Sequence, residues 1–575
     1  MSEYVLSVNP CIPPLGSHDG SAVLFDDGEL VFGVEEERLT RQKHAPETFP
    51  AESVRACLDF ADIDLSEVRK VAVPWEPKRF RKSLSQNLRQ ATSTPQSLTE
   101  KLRLALWGVK YSLGPSVTST SLIEDQLDEV GDTIPPVETR PHHRSHAASA
   151  FHPSPFEQAL VLTIDGRGEH DTTVVWKGDP TGIEKVREYE FPNSWGFLYA
   201  AVTKYLGFRP WNGEGKVMGL APYGTRNRDI ESRLREAIDT GVDFDVTGLV
   251  NGTVQSTVSE LEELFGRTRR KRSGEFTDWE KDLAHIVQKL LEDTVTSIVA
   301  TYCRRLDVEN VALAGGVALN CKMNKRVMDI DLVDGTFIQP VAADSGSAIG
   351  AGMLEYSPGE FETMSTVYWG PEYGTATVEA ELRKNKIAFS KPDEIADAVA
   401  ERVADGALAG WFQGRMEMGP RALGNRSIIA DPRTEESLDR INKYVKHREE
   451  WRPFAPSMLE DAMGDFVVDP DPAPYMIKTF DVTEDARDRI PAVLHPGDGT
   501  TRPQSVRREQ NPRYYDLIDA FAERTGIPVV LNTSFNDHGE PIVNRPAEAI
   551  KDFFGMGLDV VALGDVLVEK PANTR

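Results

Sequence analysis

The sequence predicts an α/β protein with at least two domains, the first of which contains a duplicated unit. Its 575 residues are more than one hydrophobic core normally holds. Two similar patterns, each a strand, a glycine-containing turn and another strand, occur in the first third of the chain. Further strand patterns alternate with helical ones in the last third. Together these observations indicate a duplicated α/β domain with a cleft between its halves, followed by a second α/β domain.

The first repeat begins with an apolar strand at residues 4–8. Residues 21–25 and 30–34 are predicted to pair as a hairpin, because an Asp-Gly turn between apolar runs favours that structure. The second repeat is similar, with strands at 159–164 and 172–176 separated by a glycine-rich turn.

A third strand pattern, 310–313, leads into Gly315 and Gly316 and then Asn320. Paired glycines let a backbone approach a ligand closely, and the start of the following helix favours an anion. A turn needed only for packing is the alternative interpretation.

Hydrophobic periodicity lapses over residues 355–378, where Pro and Gly cluster, and a domain junction is therefore predicted there. We expect a first domain at 1–357, a linker at 358–378 and a second domain at 379–575. The poorly patterned stretch 86–135 is predicted to be an insertion or a cover. The second domain has three strand patterns, at 407–412, 529–532 and 560–563.

The composition excludes several classes of protein. Apolar residues make up 40% and aromatic residues 8%, which is typical of a globular chain and not of a disordered, collagen-like or coiled-coil one. No run approaches the roughly 18–20 apolar residues of a membrane span, and no basic signal region begins the sequence. Its four scattered cysteines indicate reduced thiols and exclude a cysteine-rich zinc site. We expect a cytoplasmic protein that does not bind membranes.

The net charge of −26 indicates an acidic surface, which disfavours binding to nucleic acid. Only 23 of the 65 basic residues are lysine. Abundant acidic residues with few lysines are typical of halophilic proteins, whose surfaces must stay soluble at high salt. An ordinary acidic cytosolic enzyme is the alternative.

Two histidines, His142 and His146, stand one helical turn apart, so both imidazoles can bind one cation. Asp165 follows the strand of the second repeat, and Asp344 follows another strand pattern. Two imidazoles and two carboxylates suit a divalent metal. A helix that is capped and packed through its histidines is the alternative.

A second candidate is His18, whose neighbour Asp19 supplies a carboxylate. Such a pair can act as a general base near neutral pH. A histidine that merely forms part of a turn is equally compatible with the pattern.

Basic residues are dense over 415–452, interleaved with glycine, proline and aromatic residues, which suits a folded anion-binding pocket. The sequence LNTSFN at 531–536 adds short hydroxyls and amides after a strand. The standard nucleotide motifs GxxxxGK[ST] and GxGxxG are absent. The basic residues are Arg415, Arg421, Arg426, Lys446, Arg448 and Arg452.

These motifs resemble those of the NodU/TobZ/CmcH-type O-carbamoyltransferases over nearly the whole chain. The matching blocks are 18–44, 142–151, 162–173, 213–224, 313–324, 414–432, 445–459 and 531–543. The resemblance implies an N-terminal actin-like (ASKHA) duplicated domain, similar to tRNA threonylcarbamoyl-transferases, and a C-terminal YrdC-like domain.

The resemblance also implies a two-step reaction. Carbamoyl phosphate and ATP with Mg²⁺ give carbamoyl-adenylate in the C-terminal domain, and the carbamoyl group then passes to an acceptor hydroxyl in the N-terminal domain. The implied acceptor is a small molecule such as a sugar or secondary metabolite, and its identity stays open, as does a homodimer. The N-terminal domain is expected to hold one divalent metal (Fe, Zn, Mn or Mg).

The family motifs assign roles to individual residues. His18 matches a general base, and His142, His146, Asp165 and Asp344 match the metal site. The catalytic set of the C-terminal domain is matched by Lys446, Arg448, Arg452, Ser534 and Asn536. Residues matched to substrate or nucleotide binding are Asp19, Gly166, Gly168, Lys216, Gly315, Gly316, Asn320, Arg415, Arg421, Arg426, Arg502, Asn532 and Thr533.

Two other functions stay open from the sequence. One is a tRNA threonylcarbamoyl-transferase-like enzyme, against which the net charge of −26 argues. The other is a non-catalytic actin-like regulatory protein, against which the intact histidine, lysine and serine motifs argue. The segment 495–506 is slightly longer than the form typical of the family, which leaves the placement of Arg502 open.

Overall fold

The structure is a computed structural model that describes residues 3–84, 120–271, 274–446 and 451–571, together with residues 102, 105, 106 and 109. The chain divides into two compact units. The first comprises Met1–Glu35 and Pro46–Met364, and the second comprises Glu36–Ala45 and Ser365–Arg575. A ten-residue segment from the amino-terminal part of the chain therefore belongs to the second unit.

The first unit contains two five-stranded sheets with their helices. Its strands are β1 Tyr4–Asn9, β2 Ser21–Asp26, β3 Glu29–Glu35, β4 Lys70–Val73, β5 Val137–Thr139, β6 Ala159–Ile164, β7 Asp171–Asp179, β8 Gly182–Glu190, β9 Asn310–Ala314 and β10 Gly335–Ile338. The helices of the described part of the chain up to residue 353 are α1 Glu36–Thr40, α2 Ala51–Ala61, α3 Ser121–Leu127, α4 His142–Phe151, α5 Trp195–Tyr205, α6 Glu214–Leu220, α7 Arg228–Ala237, α8 Val254–Phe265, α9 Asp278–Leu306, α10 Cys321–Met328 and α11 Asp344–Met353. Of these, α1 lies in the second unit.

The two sheets of the first unit have the same topology. Their strand orders are β3-β2-β1-β4-β5 and β8-β7-β6-β9-β10. In each, the first three strands in sequence run antiparallel and the last two lie parallel to the first. The repeat predicted from the sequence therefore corresponds to two sheets built in the same way. The turn of the first hairpin has positive φ at Asp27 (48°) and Gly28 (93°), as a two-residue turn that matches strand twist requires.

Two short helices pack against each other between these sheets. Helix α4 contacts β6, β7 and β9, and α11 contacts β1, β2 and β4. Their close approach depends on Gly350 in α11, because a Cβ atom at that position would lie only 1.7 Å from the carbonyl oxygen of Ser145 in α4. Small side chains in both helices thus let their backbones nearly touch.

Replacing Gly350 by alanine is expected to destabilise the protein by about 1–3 kcal/mol or more, because the new methyl group forces α4 and α11 apart. Thermal unfolding measures the effect. Gly215→Ala is the matched control, since a Cβ atom there meets nothing within 4 Å and alanine favours its helix by about 0.5–1 kcal/mol. An unchanged melting temperature for Gly350→Ala would show that the helices can separate freely.

The second unit is built on a seven-stranded mixed sheet of order β16-β13-β17-β12-β11-β18-β19, with a two-stranded sheet β14-β15 beside it. Its strands are β11 Ala409–Phe412, β12 Arg426–Ala430, β13 Ala455–Leu459, β14 Phe480–Asp481, β15 Thr500–Thr501, β16 Gln504–Val506, β17 Val529–Ser534, β18 Val560–Leu563 and β19 Val566–Glu569. Its helices after residue 364, within the described ranges, are α12 Thr375–Lys384, α13 Ile395–Ala404, α14 Glu435–Ile441, α15 Met463–Phe466, α16 Glu484–Arg487, α17 Pro512–Thr525 and α18 Pro546–Gly555.

The prediction of an α/β fold is confirmed in both units. All three strands predicted for the second unit are present as β11, β17 and β18, with β11 two residues shorter than expected at its start. Much of the predicted insertion at 86–135 lies outside the described residues, although α3 falls within it. None of the helices formed by the described residues is both long and apolar enough to cross a lipid bilayer.

Candidate functional site

The four predicted metal ligands converge on one point in the first unit. Nε2 of His142 and Nε2 of His146 lie 3.1 Å apart. Oδ2 of Asp165 lies 3.1 Å from Nε2 of His146 and 3.7 Å from that of His142. Oδ1 of Asp344 lies 3.6 Å and 3.9 Å from Nε2 of His142 and His146, respectively. Four potential ligand atoms from three chain segments therefore face a common centre.

The orientation of His142 is set by residues that sequence reasoning missed. Its Nδ1 lies 3.2 Å from the carbonyl oxygen of Pro74, so a proton on Nδ1 leaves the lone pair of Nε2 directed at the carboxylates. The indole of Trp75 stacks on the imidazole, with ring centres 3.9 Å apart. Both residues directly follow β4, where the apolar strand ends against α4. No spacing along the sequence indicates this contact.

The backbone of His142 is held by another residue that was missed, Glu169. Its Oε1 accepts hydrogen bonds from the backbone N–H of His142 (3.0 Å) and of Glu76 (2.8 Å). Glu169 is completely buried, and burial raises the pKa of its carboxyl group. The sequence signal for Glu169 is its place in the family-like motif at 162–173. His143, next to His142, points away to the hydroxyl of Thr163, 2.9 Å from its Nδ1.

The two carboxylates differ in their electrostatics. Burial raises the pKa of Asp165, but the two imidazoles outweigh burial and hold that pKa well below its ordinary value. Burial and the Asp165 carboxylate raise the pKa of Asp344. Oδ2 of Asp165 is buried and makes no hydrogen bond to the described residues, while Oδ1 accepts one from the N–H of Gly166 (2.6 Å). A buried carboxylate oxygen beside two imidazole nitrogens fits a divalent cation.

His18 lies in the electrostatic field of the same cluster. Its Nδ1 is 2.8 Å from Oδ2 of Asp19. Burial alone would lower the pKa of His18. The carboxylates of Asp19, Asp344 and Asp165 have the larger, opposite effect and raise that pKa to about 10. The indole of Trp211 stacks over the imidazole with ring centres 5.9 Å apart.

The predicted glycines have identifiable packing roles in the first unit. A Cβ atom on Gly168 would lie 2.9 Å from the ring of His143, and one on Gly166 would lie 3.0 Å from that of Trp211. Gly315 has φ 89°, and a Cβ atom there would lie 2.2 Å from the carbonyl oxygen of Ile164. Gly316 lies beside Asp165, with its ideal Cβ position 3.4 Å from Oδ1. The turns after β6 and β9 can therefore approach each other beneath the four-ligand cluster.

Two further predicted binding residues contact other protein groups. The ammonium of Lys216 lies 5.3 Å from the ring centre of Phe208. Asn320 caps helix α10 by accepting the N–H of Met323, and its amide exchanges hydrogen bonds with Gln288 (3.0 and 2.9 Å). Asn320 thus fixes the turn that follows Gly315 and Gly316.

In the second unit, three predicted catalytic residues form one cluster. Nζ of Lys446 donates to Oδ1 of Asn536 (2.9 Å) and to the carbonyl oxygens of Ser534 (2.5 Å) and Asn536 (3.0 Å). The hydroxyl of Ser534 donates to Oδ1 of Asn536 (2.6 Å). Lys446 is only 6% exposed, so its charge is surrounded by oxygen atoms in place of water. Its sequence partner Arg448 lies outside the described residues.

The arginines of the basic set are distributed differently. Arg426 is fully buried, and its guanidinium donates to the carbonyl oxygens of Gln413 (2.6 Å) and Pro371 (3.2 Å) while lying over the ring of Phe412. Arg415 likewise donates to backbone carbonyls, including that of Gly370 (3.3 Å). Their described contacts thus link segments of the second unit.

The remaining predicted residues are spread over neighbouring elements. Asn532 on β17 is buried and donates to Oγ of Ser457 (2.9 Å), and Thr533 follows it toward the cluster of Lys446. The other arginines are half-buried on connecting segments of the second unit. These are Arg421, Arg452 and Arg502.

Two family models match the chain, Carbamoyltransferase N-terminus over residues 15–353 and Carbamoyltransferase C-terminus over residues 400–570. Nodulation protein NolNO of Sinorhizobium fredii is 37% identical, with 97% of this chain and 80% of that protein covered. Nodulation protein NolO of Bradyrhizobium diazoefficiens is 40% identical over 76% of this chain and 80% of its own length.

A 3'-hydroxymethylcephem-O-carbamoyltransferase of Amycolatopsis lactamdurans is 27% identical over 96% of this chain and 98% of its own length. The solved structure of HypF from T. kodakarensis aligns with 62% of this chain and 48% of its own, at 14% identity and a TM-score of 0.31, a likeness too slight to support an argument. The resemblance inferred from the motifs is confirmed by the family models and relatives. This chain belongs to the carbamoyltransferase family and is an enzyme that transfers carbamoyl groups.

Proposed function

We propose that this protein is an ATP-dependent O-carbamoyltransferase that forms carbamoyl-adenylate in one domain and uses it in the other. The observation that carries the proposal is the clustering of the predicted residues into two sites, each within a different compact unit. One site holds the buried lysine Lys446 among oxygen atoms, and the other holds the four potential metal ligands near His18.

The proposed domains are those expected from the sequence, an actin-like (ASKHA) domain at 1–357 and a YrdC-like domain at 379–575. The identical strand orders of the two sheets support a duplicated actin-like fold in the first domain. The seven-stranded mixed sheet is the proposed YrdC-like framework of the second.

The first half-reaction is assigned to the second domain. Carbamoyl phosphate first reacts with water to give carbamate and phosphate. Carbamate then attacks the α-phosphorus of ATP, and pyrophosphate leaves; Mg²⁺ is the counter-ion of ATP. Lys446 supplies a buried positive charge for the anionic reactants, and Ser534 and Asn536 hold its ammonium in place. The arginines proposed to bind phosphate groups here are Arg421, Arg448, Arg452 and Arg502, whereas Arg415 and Arg426, also predicted for that role, donate to backbone carbonyls.

The second half-reaction is assigned to the first domain, where an acceptor hydroxyl attacks the carbonyl of carbamoyl-adenylate and AMP leaves. His142, His146, Asp165 and Asp344 would hold one divalent cation, which supplies positive charge and a Lewis acid there. His18 takes the hydroxyl proton, with its Nδ1 held by Asp19. A cation held by Asp165 and Asp344 would offset their negative charge. The pKa of His18 would then fall from about 10 toward the range of a general base.

The acceptor is proposed to be a hydroxylated small molecule, since one relative carries a hydroxymethylcephem acceptor in its name and others are nodulation proteins. The net charge of −26 supports a small-molecule acceptor over a tRNA, whose backbone needs a basic surface.

Release of pyrophosphate from ATP tests the proposed function. Release that requires carbamoyl phosphate supports it. Release that requires threonine and bicarbonate instead would indicate the tRNA threonylcarbamoyl-transferase-like enzyme, and no release with any of these would favour a non-catalytic regulatory protein. Carbamoyl-AMP trapped by mass spectrometry would identify the intermediate directly.

We also propose that the acidic surface is adapted to high salt. Molar KCl is expected to raise the melting temperature relative to dilute buffer, because screening weakens repulsion among the excess carboxylates of a protein with net charge −26. Differential scanning fluorimetry at graded KCl measures this, with NaCl as a check on ion identity. A melting temperature that stays flat or falls would contradict adaptation to salt and leave the enzymatic proposal untouched.

A further inference from the structure

We propose that Arg41 is a positioning residue for the Lys446 site, although it lies more than 400 residues away in the sequence. Arg41 belongs to the segment Glu36–Ala45, which is part of the second compact unit. The inference rests on the proposed function, because it assigns Arg41 to the half-reaction in which Lys446 acts.

The segment is held in a defined and strained conformation. Helix α1 ends at Thr40, and the N–H of the next residue, Arg41, donates to the carbonyl oxygen of Glu37 (3.0 Å). Arg41 itself has φ 61°, in the left-handed region that costs a non-glycine residue about 1–2 kcal/mol. Oε2 of Glu37 accepts the N–H of His44 (2.7 Å) and so closes the segment on itself. Such strain persists only where surrounding contacts over-determine the backbone.

A second arginine anchors the same segment. Arg38 is 3% exposed, and its Nη2 donates to the carbonyl oxygen of Gly419 (2.7 Å) in the basic segment of the second unit. Arg38, within α1, and Arg41, directly after it, therefore reach two different loops of the second unit. Arg38 thus fixes the point from which Arg41 extends.

Arg41 holds the loop that follows Asn536. Its Nη1 donates to the carbonyl oxygen of Ile542 (2.6 Å) and its Nη2 to that of Pro541 (2.8 Å). The same guanidinium lies 3.7 Å from Oε2 of Glu540 and 3.4 Å from Oε2 of Glu548. The planar fork of arginine suits this pair of neighbouring carbonyls, whereas a lysine ammonium can reach them only from a single nitrogen.

The loop connects Arg41 to the catalytic lysine in two steps. The backbone carbonyl of Glu540 accepts a hydrogen bond from Nδ2 of Asn536 (2.8 Å). Oδ1 of the same amide accepts hydrogen bonds from Nζ of Lys446 (2.9 Å) and from the hydroxyl of Ser534 (2.6 Å). The same Nδ2 also donates to the carbonyl oxygen of Asp537 (2.9 Å), so the carbonyls of Asp537 and Glu540 together orient the amide of Asn536.

The loop has little packing of its own at its tip. Gly539 has φ 86°, and a Cβ atom there would meet nothing within 4 Å. His538 is also exposed. Beyond the tip, Ile542 packs against Met416 and Ala422, and the hydrogen bonds from Arg41 to the carbonyl oxygens of Pro541 and Ile542 add a second anchor for the segment that leaves the loop.

The test compares Arg41→Met and Arg41→Lys with a matched control, Arg402→Met. Arg402 also belongs to the second unit, pairs with Glu569 (3.0 Å) and donates to a backbone carbonyl, and is similarly half-buried. Pyrophosphate release is measured as separate kcat and KM values for ATP with carbamoyl phosphate present. Hydrogen exchange of the peptide that spans 536–543 is measured in parallel on the full chain.

We expect Arg41→Met to lower kcat about 10- to 100-fold with KM within about threefold, because a displacement of about 1 Å at a catalytic group can cost 10²-fold. Exchange of 536–543 should accelerate, Arg41→Lys should recover part of both losses, and Arg402→Met should resemble the unmodified protein. An unchanged kcat in folded Arg41→Met, or equal losses in Arg402→Met, would overturn the proposal.

Failure of the proposed function is distinguishable from failure of this inference. If the unmodified protein released no pyrophosphate, hydrogen exchange would still decide the positioning role. Faster exchange confined to 536–543 in Arg41→Met supports that role, whereas exchange unchanged there, or faster throughout the chain, contradicts it.

Discussion

Replacing Lys446 by alanine is expected to abolish carbamoyl-phosphate-dependent pyrophosphate release, with a loss of at least about 10²–10³-fold in kcat. Among the described residues, the buried ammonium is the charged donor to the oxygen atoms of Ser534 and Asn536, and a neutral side chain cannot replace its charge. Ser534→Ala should show a smaller loss in the same assay, because it removes one partner of the lysine and retains the charge.

Lys446 ends a π-helical turn, Asn442–Lys446, which also supplies a control for this prediction. Lys443 is exposed, so Lys443→Ala removes an identical charge three residues away without entering the cluster. His142→Ala tests the second half-reaction separately, since this variant should retain pyrophosphate release and lose carbamoyl transfer to the acceptor. If folded His142→Ala lost adenylate formation, the assignment of the two half-reactions to two domains would be wrong.

Replacing His146 by alanine is expected to lower the affinity for a divalent metal by at least about 100-fold. Loss of a partner outside the ligand shell already costs about 10- to 100-fold, and a direct ligand contributes more. Isothermal titration with Zn²⁺, or competition against a chelator, measures the change. His152→Ala is the control, because His152 directly follows α4 and its ring contacts that of Phe361, with ring centres 5.4 Å apart, and is not one of the four ligands.

Metal affinity should also depend on pH in a definite direction. Imidazole must be neutral to bind a cation. Burial lowers the pKa of His142, but the carboxylates of Asp165 and Asp344 raise it by more, to about 9, so affinity is expected to fall as the pH drops below about 9. Affinity that rises on acidification, or an equal loss in His152→Ala, would show that the four side chains do not bind the metal.

Local sequence patterns predicted the parts of the fold that local physics determines. The apolar strands β1, β2 and β6 and the Asp-Gly turn were readable because their side chains alternate or are buried on both faces. Strand β8 was missed because it is largely exposed and reads GIEKVREYE, with no apolar stripe. Strand β12 was missed because it begins at a charged residue, Arg426.

The residues of the candidate site likewise include some that local sequence patterns predict and others that only tertiary contacts bring together. The pair His142 and His146 could be predicted from their spacing, since four residues make one helical turn. Glu169 and Pro74 were not assigned roles, because their contacts with His142 arise only when β4 and the turn after β6 meet α4. The sequence alone likewise contains no sign that Arg41 reaches the loop of Asn536.

The sequence by itself therefore determined the α/β class, the repeated strand pattern, the family and the residue types of both sites. Tertiary structure alone decided which polar groups meet. The density of arginines predicted an anion pocket, yet Arg426 is enclosed by backbone carbonyls, while Lys446 is held by the oxygens of Ser534 and Asn536. The physical reason is that a cationic side chain carries several donors that many oxygens can satisfy. Which oxygens come within 3 Å of it depends on strand order, helix packing and loop position, and not on its neighbours along the chain.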